Sequence, residues 1–228
     1  MTQIPSSSIT FLKDLKKNNN RDWFTEHKKR YQKEHEQIIS FADALLLKMN
    51  EHDVIETPSG KKSLFRIYRD VRFSKDKSPY KTHWAGGFTR ATKARRGGYY
   101  FHIQPEGQSF IGGGFWAPNK EDLLRIREEI ATDASELRDI LADPVFISTF
   151  GELQGEQLKT APKGFPKDHP DIDLLRYKQF IFSKNFSDEE VLAPDFLDRV
   201  NDTFKAMRPF FDFMSEVLTT DSNGESIL

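Results

Sequence analysis

The sequence predicts an α+β fold, with a largely antiparallel or mixed sheet in the central segment and flanking N-terminal and C-terminal helices. Apolar residues recur at steps of three and four up to about residue 50 and again from about residue 119, as in amphipathic helices. Between about residues 65 and 116 apolar and polar residues alternate, which is typical of strands. Because these strands follow one another without intervening helices, a parallel sheet is not expected.

Two helices are predicted at the N-terminal end of the chain. The first is capped by Ser7 or Ser8 and ends at the asparagine run 18–20. The second spans about residues 22–50, where the helical period is longest. Trp23 lies on the apolar side of this second helix, so we expect it to be buried.

Four strand segments joined by turns are predicted in the centre of the chain. Alternation places Ile67 and Phe73 on the apolar face of the first segment, together with Arg69. A charged side chain on that face must be paired or must reach a pocket. The polar run 90–96 is predicted to be a solvated hairpin loop. The four strand segments are 65–73, 84–89, 99–104 and 108–116.

The C-terminal part is predicted to be mainly helical, with an irregular basic and proline-containing stretch at 159–170 and one strand at 179–182. Helical periodicity returns at Asn119, and the sequence Ser-Asp-Glu-Glu at 187–190 has the pattern of a capping box. A final helix is predicted over 194–218, with a kink at Pro209.

The composition indicates one domain in a reducing compartment. No linker-like stretch divides the 228 residues, so we expect a single α+β domain over 1–218 and a disordered tail over 219–228. The absence of cysteine excludes disulfides, thiol nucleophiles and Cys-ligated metals. There is no apolar run of about 18 residues, and the N-terminal residues lack the pattern of a signal peptide. A cytoplasmic location without membrane association is therefore expected.

Positive charge is concentrated in one part of the chain. Residues 61–96 contain 12 Lys or Arg and only two Asp, whereas the whole chain has a net charge of −1. The remainder is therefore acidic. Such a segment favours either a small anionic ligand or internal charge pairing.

The strand 65–73 and the loop after it carry the candidate anion-binding residues. Arginine binds phosphate or carboxylate through two parallel hydrogen bonds, and lysine adds a point charge. In the alternative interpretation, Asp70 and Asp76 neutralise the arginines in a structural network. The candidate anion-binding residues are Arg66, Arg69, Arg72, Lys75, Lys77 and Lys81.

Candidate catalytic residues are His83, His169 and Asp70, since imidazole and carboxylate groups transfer protons. Glycines at 112–114 precede a predicted helix, as in a phosphate-binding loop, but their spacing fits no known phosphate motif. Close packing of the backbone explains these glycines better. The further candidates for a shared pocket are His102, Gly113, Gly114, Trp116 and Lys163.

Neither a metal nor a cofactor is expected. His27 and His35 are eight residues apart, which matches no common metal-binding pattern on a helix. Nucleic-acid binding would draw on the basic run 90–96 and the aromatic residues 99–101. The acidic remainder of the chain argues against it. The sequence predicts no particular oligomeric state.

Several segments together resemble a family of conserved bacterial and fungal proteins catalogued as domain of unknown function 2461. The resemblance is carried by Asn-Asn-Arg-Asp-Trp-Phe at 19–24, the whole segment 65–81, Gly-Gly-Phe-Trp-Ala-Pro at 113–118, and Ala-Pro-Lys-Gly-Phe at 161–165 with His-Pro at 169–170. It implies one compact domain of about this length. It implies no established activity, substrate or cofactor.

Two functional hypotheses follow. The first is a cytosolic anion-binding protein, extending to an enzyme that acts on a phosphorylated or carboxylated small molecule. The second is a non-enzymatic interaction or structural module. Arginines that line a pocket would favour the first hypothesis, whereas arginines fully paired with carboxylates would favour the second.

Overall fold

The computed structural model describes residues 2–221 and 223–228 and confirms the α+β class. In this described part, four strands form one antiparallel sheet in the order β1-β2-β3-β4. The strands are β1 Trp84–Thr89, β2 Gly98–Ile103, β3 Ser109–Phe115 and β4 Phe180–Phe186. The helices are α1 Ser6–Lys17, α2 Arg21–Glu26, α3 Lys28–Met49, α4 Gly60–Ser63, α5 Lys120–Thr132, α6 Ser135–Ala142, α7 Pro144–Phe150, α8 Ile172–Leu175, α9 Asp188–Leu192, α10 Phe196–Ala206 and α11 Arg208–Thr219.

The chain divides into two compact units. The first unit comprises residues up to 88, 100–111 and 185–202. The second comprises 89–99, 112–184 and 203 onwards. The single domain expected over 1–218 stays a prediction.

The N-terminal helices form where the helical period predicts them, but their ends differ from the predicted ends. Pro5 occupies the N-cap of α1, while the hydroxyls of Ser7 and Ser8 donate to one carboxylate oxygen of the buried Glu34, at 2.9 and 2.8 Å. The capping role predicted for these serines is therefore wrong. Their hydroxyls instead satisfy a carboxylate that would be costly to bury alone.

The helix predicted over 22–50 is interrupted at His27. Asn20 caps α2 by accepting a hydrogen bond from the Trp23 N–H, and His27 separates α2 from α3 in a non-helical conformation. The His27 ring stacks on the Trp23 ring, with centroids 4.0 Å apart, and Nδ1 bonds to the Trp23 carbonyl. Trp23 is half-buried, contrary to prediction, whereas Phe24 is buried.

The prediction of a strand at 65–73 is wrong. Only isolated bridges form here, from Leu64 to Gly86 and from Tyr68 to Tyr80. Ile67 is buried as predicted, but Phe73 is 97% exposed. Carboxylates of this segment accept hydrogen bonds from backbone N–H groups two residues further on, and these local bonds favour turns over a continuous ladder.

The later elements follow the sequence more closely. The predicted strands 84–89, 99–104, 108–116 and 179–182 correspond to β1 to β4, and the capping box at 187–190 is present at the start of α9. The predicted final helix is two helices, α10 and α11, separated at Met207.

The tail contains an isolated bridge between Thr220 and Ser226, and the Ile227 N–H donates to the Thr219 carbonyl. Ser222 lies outside the described residues. Disorder of 219–228 stays a prediction.

Each unit has an aromatic core. In the first unit, Phe41 of α3 packs against Phe101 of β2 and Phe196 of α10, with centroids 6.1 and 5.7 Å away. In the second unit, Phe182 of β4 packs edge-on against Phe210 at 4.7 Å. Burial of such rings supplies much of the hydrophobic stabilisation of each unit.

Candidate anion site

One face of the β2 strand is partly open in the first unit. Phe101 and Ile103 are buried, and Phe101 packs on α3. Tyr100 and His102 alternate with them on the opposite face and are only half-buried. Side chains on this open face are therefore accessible to a ligand while being fixed by the strand.

Two histidines meet on this face. His83 directly precedes β1, and its ring centroid lies 4.1 Å from that of His102 on β2. Phe110 of β3 stacks on the His102 ring, with ring centroids 4.8 Å apart and planes 16° from parallel. The sheet thus brings together two of the three histidines that the sequence singles out.

A hydrogen-bond chain fixes the orientation of His102. The Tyr100 hydroxyl lies 3.0 Å from Nδ1, and the Gln104 side-chain oxygen lies 2.9 Å from Nε2. The Gln104 side-chain oxygen can only accept, so Nε2 carries a proton. Burial lowers the pKa of His102, so the ring is neutral at neutral pH and Nδ1 accepts from the Tyr100 hydroxyl.

His83 is also held in its neutral form. Burial, followed by the proximity of His102 and Lys81, lowers the pKa of His83 to about 4. Burial likewise lowers the pKa of His102. At neutral pH each ring therefore has one N–H donor and one acceptor nitrogen.

Lys81 places a cation beside this pair. Its Nζ lies 5.7 Å from the Phe65 ring centroid, and burial together with the nearby Arg66 lowers its pKa. Within the described residues, neither Lys81 nor Arg66 forms a salt bridge with a carboxylate. Lys81 at this face and Arg66 next to it thus lack a carboxylate partner in the described part of the chain.

We call this group the sheet-face cluster. It combines two cations, two neutral imidazoles and two neutral hydrogen-bonding side chains. Its members are Arg66, Lys81, His83, Tyr100, His102 and Gln104.

The remaining arginines of the predicted anion-binding set are paired. Arg72 binds Asp70 through two hydrogen bonds of 3.0 and 2.7 Å, and these bonds lower the pKa of Asp70. Arg69 binds Asp76 and the Ser78 carbonyl. Hydrogen bonds from Ser78, and then from Arg69, lower the pKa of Asp76 to about 2. These pairs match the structural network that the sequence left open for this segment.

The two other lysines of the set occupy the exposed loop 70–78. The Lys77 ammonium donates to the Val71 carbonyl at 3.0 Å, which braces the loop, and Lys75 is exposed. Asp70 is held as a carboxylate by Arg72 and is exposed. Lys77 and Asp70 thus have local structural partners.

His169 and Lys163 belong to the second unit. His169 Nδ1 accepts from the Asp171 N–H at 3.0 Å, and Nε2 lies 3.3 Å from the Ala131 carbonyl. Both ring nitrogens are thus engaged by the backbone. Lys163 is exposed.

The glycines of β3 allow close packing. A Cβ on Gly114, where φ is +126°, would lie 2.1 Å from the Phe180 carbonyl oxygen of β4, and one on Gly113 would lie 2.5 Å from the Met207 sulfur. Trp116, after the strand, is exposed. This geometry favours backbone approach as the reason for these glycines.

The run 90–96 connects β1 to β2 and exposes Thr92, Lys93 and Ala94 as predicted, but Arg90 at its start is buried, contrary to prediction. Arg90 is 1% exposed and donates to the Arg96 carbonyl, the Ser215 hydroxyl and Asp212, while its guanidinium lies 5.4 Å from the Phe211 ring centroid. Arg96 pairs with Asp122. These contacts give Arg90 and Arg96 structural roles in the second unit.

Three important residues were not found from the sequence. Tyr100 and Gln104 orient His102. Strand alternation places Tyr100 on the same face as His102, and this pattern could have identified Tyr100 from the sequence. Asn19 binds both the N–H and the carbonyl of Tyr80, at 3.1 and 2.9 Å. Asn19 thus fixes the segment that leads into Lys81 and His83.

The fold and the cluster define an α+β protein with a partly open, positively charged sheet face. The chain belongs to the family described as conserved hypothetical protein (DUF2461), whose model matches residues 7–213. Comparisons with curated proteins and with solved structures gave no match. In the described part of the chain, none of the helices combines the length and apolar character needed to span a bilayer.

Proposed function

We propose that the first unit binds a small anion, of the phosphate or carboxylate class, at the sheet-face cluster. The observation that carries the proposal is Lys81 beside two neutral imidazoles, with Arg66 near Lys81 and, among the described residues, no carboxylate in a salt bridge with either cation. Bringing like charges together is unfavourable, and an anion between them would relieve it. Arg66 would supply a two-pronged donor and Lys81 a point charge.

His83 gives the site the means to move a proton. Its low pKa arises from burial, then from His102 and from the charge of Lys81, so a bound anion would raise that pKa. The neutral imidazole could then accept a proton from the bound molecule or return one to it. This supports an enzyme acting on a phosphorylated or carboxylated small molecule as the extended form of the proposal. We place it in the cytoplasm, in keeping with a chain without cysteine.

A thermal-shift titration tests the binding. Millimolar phosphate or sulfate should raise the melting temperature of the wild type, because a ligand that binds the folded state stabilises it. Lys81→Ala and Arg66→Ala should each reduce the shift. Lys75→Ala is the matched control, since Lys75 is an exposed lysine of the same basic segment. A wild-type melting temperature unchanged across phosphate, sulfate and carboxylates would contradict the proposal.

A second candidate function, a non-enzymatic interaction module, is favoured by the loop 70–78. This loop is braced by the Arg69–Asp76 pair and by Lys77, yet it presents Phe73 almost fully to solvent. Rigid presentation of an aromatic side chain lowers the entropic cost of binding a partner. Sedimentation analysis tests self-association: a dimer lost in Phe73→Asp would support this candidate, whereas a wild-type monomer at high concentration would exclude a second copy as the partner.

A further inference from the structure

Aromatic rings border the sheet-face cluster. Phe65 lies 6.1 Å from Tyr100 between ring centroids, and Tyr100 lies 5.5 Å from Phe110. Phe65 is 51% exposed, and Tyr100 and Phe110 are half-buried. The three rings therefore form a continuous, partly solvated apolar row on the open side of the sheet.

This row is adjacent to the positive charge. The Lys81 ammonium lies 5.7 Å from the Phe65 ring centroid, and its charge also acts on His83, whose ring contacts that of His102. The Phe65 N–H donates to the Ala85 carbonyl at 2.9 Å, so the backbone of β1 anchors the backbone from which the ring projects. Charge and aromatic surface thus lie next to each other on this face.

We infer that the anion bound by the sheet-face cluster carries an aromatic ring next to its charged group. The inference rests on the proposed function. The anionic group would bind Arg66 and Lys81, and the ring would cover Phe65 and its aromatic neighbours. The ligand class is therefore an aryl phosphate or an aryl carboxylate.

The physical reason is complementary burial. A ring placed against Phe65 removes apolar surface from water on both the ligand and the protein. An anion that carries only a methyl group buries much less apolar surface. Covering this face also lowers the local dielectric around Lys81, which strengthens its attraction to the anionic group. Ring and charge should therefore contribute together to affinity.

Isothermal titration calorimetry with paired ligands tests the inference. Phenyl phosphate is compared with methyl phosphate, and benzoate with acetate, so that each pair differs in the ring and keeps the anionic group. We expect the aryl member of at least one pair to bind about tenfold more tightly to wild type, the scale of a favourable aromatic contact. Phe65→Ala should clearly reduce the ratio while retaining binding of the small anion. Phe73→Ala, which removes another exposed ring of the same segment, should leave the ratio unchanged.

The outcomes separate the two claims. Equal affinity within both wild-type pairs would overturn the aromatic inference and leave the anion site intact. Binding of none of the four ligands would overturn both claims. An aryl preference as large in Phe65→Ala as in wild type would also overturn the inference, because it would place the ring elsewhere. Melting curves without ligand establish that both variants are folded.

Discussion

Replacing Arg90 by methionine should destabilise the protein strongly, although the sequence around Arg90 reads as a polar surface loop. Methionine retains much of the length of the side chain and removes the charge and all five donors. The change leaves the Arg96 carbonyl without its Arg90 donor and removes the contact with Phe211. It also breaks the pair with Asp212.

The magnitude follows from what each partner retains. Removing one member of a fully buried ion pair costs about 3–5 kcal/mol. Here only Arg90 is buried: Asp212 is 51% exposed and keeps its bond to Arg208 at 3.0 Å. The Ser215 hydroxyl keeps its bond to the Phe211 carbonyl. We therefore expect a loss of about 2–4 kcal/mol in the free energy of unfolding, mainly from the lost buried hydrogen bonds.

Urea titration followed by circular dichroism measures this loss. Lys93→Met is the control, because Lys93 is an exposed cation of the same run and should change stability by less than about 0.5 kcal/mol. The slope of the transition should stay constant in both variants, so that the midpoint reports stability. Equal stabilities of Arg90→Met and Lys93→Met would refute the structural role of Arg90.

Three other variants or conditions give direct tests. The pKa of His83 is lowered to about 4 from an ordinary value of 6.5, so between these pH values the unfolded chain binds more protons than the folded chain. The free energy of unfolding should therefore decrease as pH falls through this window, and it should decrease less steeply in His83→Gln. Urea titrations at several pH values measure both slopes. Gly114→Ala should lower the melting temperature far more than Gly107→Ala, because both positions have positive φ but only the first would bring a Cβ against the backbone of β4. Phe24→Ala should cost about 3–5 kcal/mol in a denaturant titration, and Trp23→Ala clearly less, because Phe24 is buried and Trp23 half-buried; equal losses would contradict this assignment.

Much of the fold could be predicted because it follows local patterns. The alternation in β2 and the helical period of α3 reflect which side chains face the core, and the capping box at 187–190 is a contiguous motif. The break at His27 was missed because the apolar residues around it keep the helical period; in the structure His27 is non-helical and its ring stacks on Trp23. The prediction of a strand at 65–73 is wrong because the carboxylates of Asp70 and Asp76 accept hydrogen bonds from nearby backbone N–H groups, which compete with strand pairing.

The candidate site was predictable in part. Basic residues and histidines identified the segment, but which cations are paired depends on local geometry that periodicity does not supply. Arg69 and Arg72 have carboxylates nearby in sequence, and the structure brings those carboxylates into contact. The contact between His83 and His102 depends on the register of neighbouring strands. Burial of Arg90 depends on Asp212, 122 residues away in the sequence.

The most direct test of the anion site is the pKa of His83, measured by NMR titration of the imidazole resonances with and without phosphate. The site predicts a value of about 4 without phosphate and a higher value with it, because a bound anion stabilises the imidazolium. The increase should disappear in Lys81→Ala and persist in Lys75→Ala. A His83 pKa that phosphate leaves unchanged would contradict the anion site, as would tight, steeply salt-dependent binding of oligonucleotides in place of small anions.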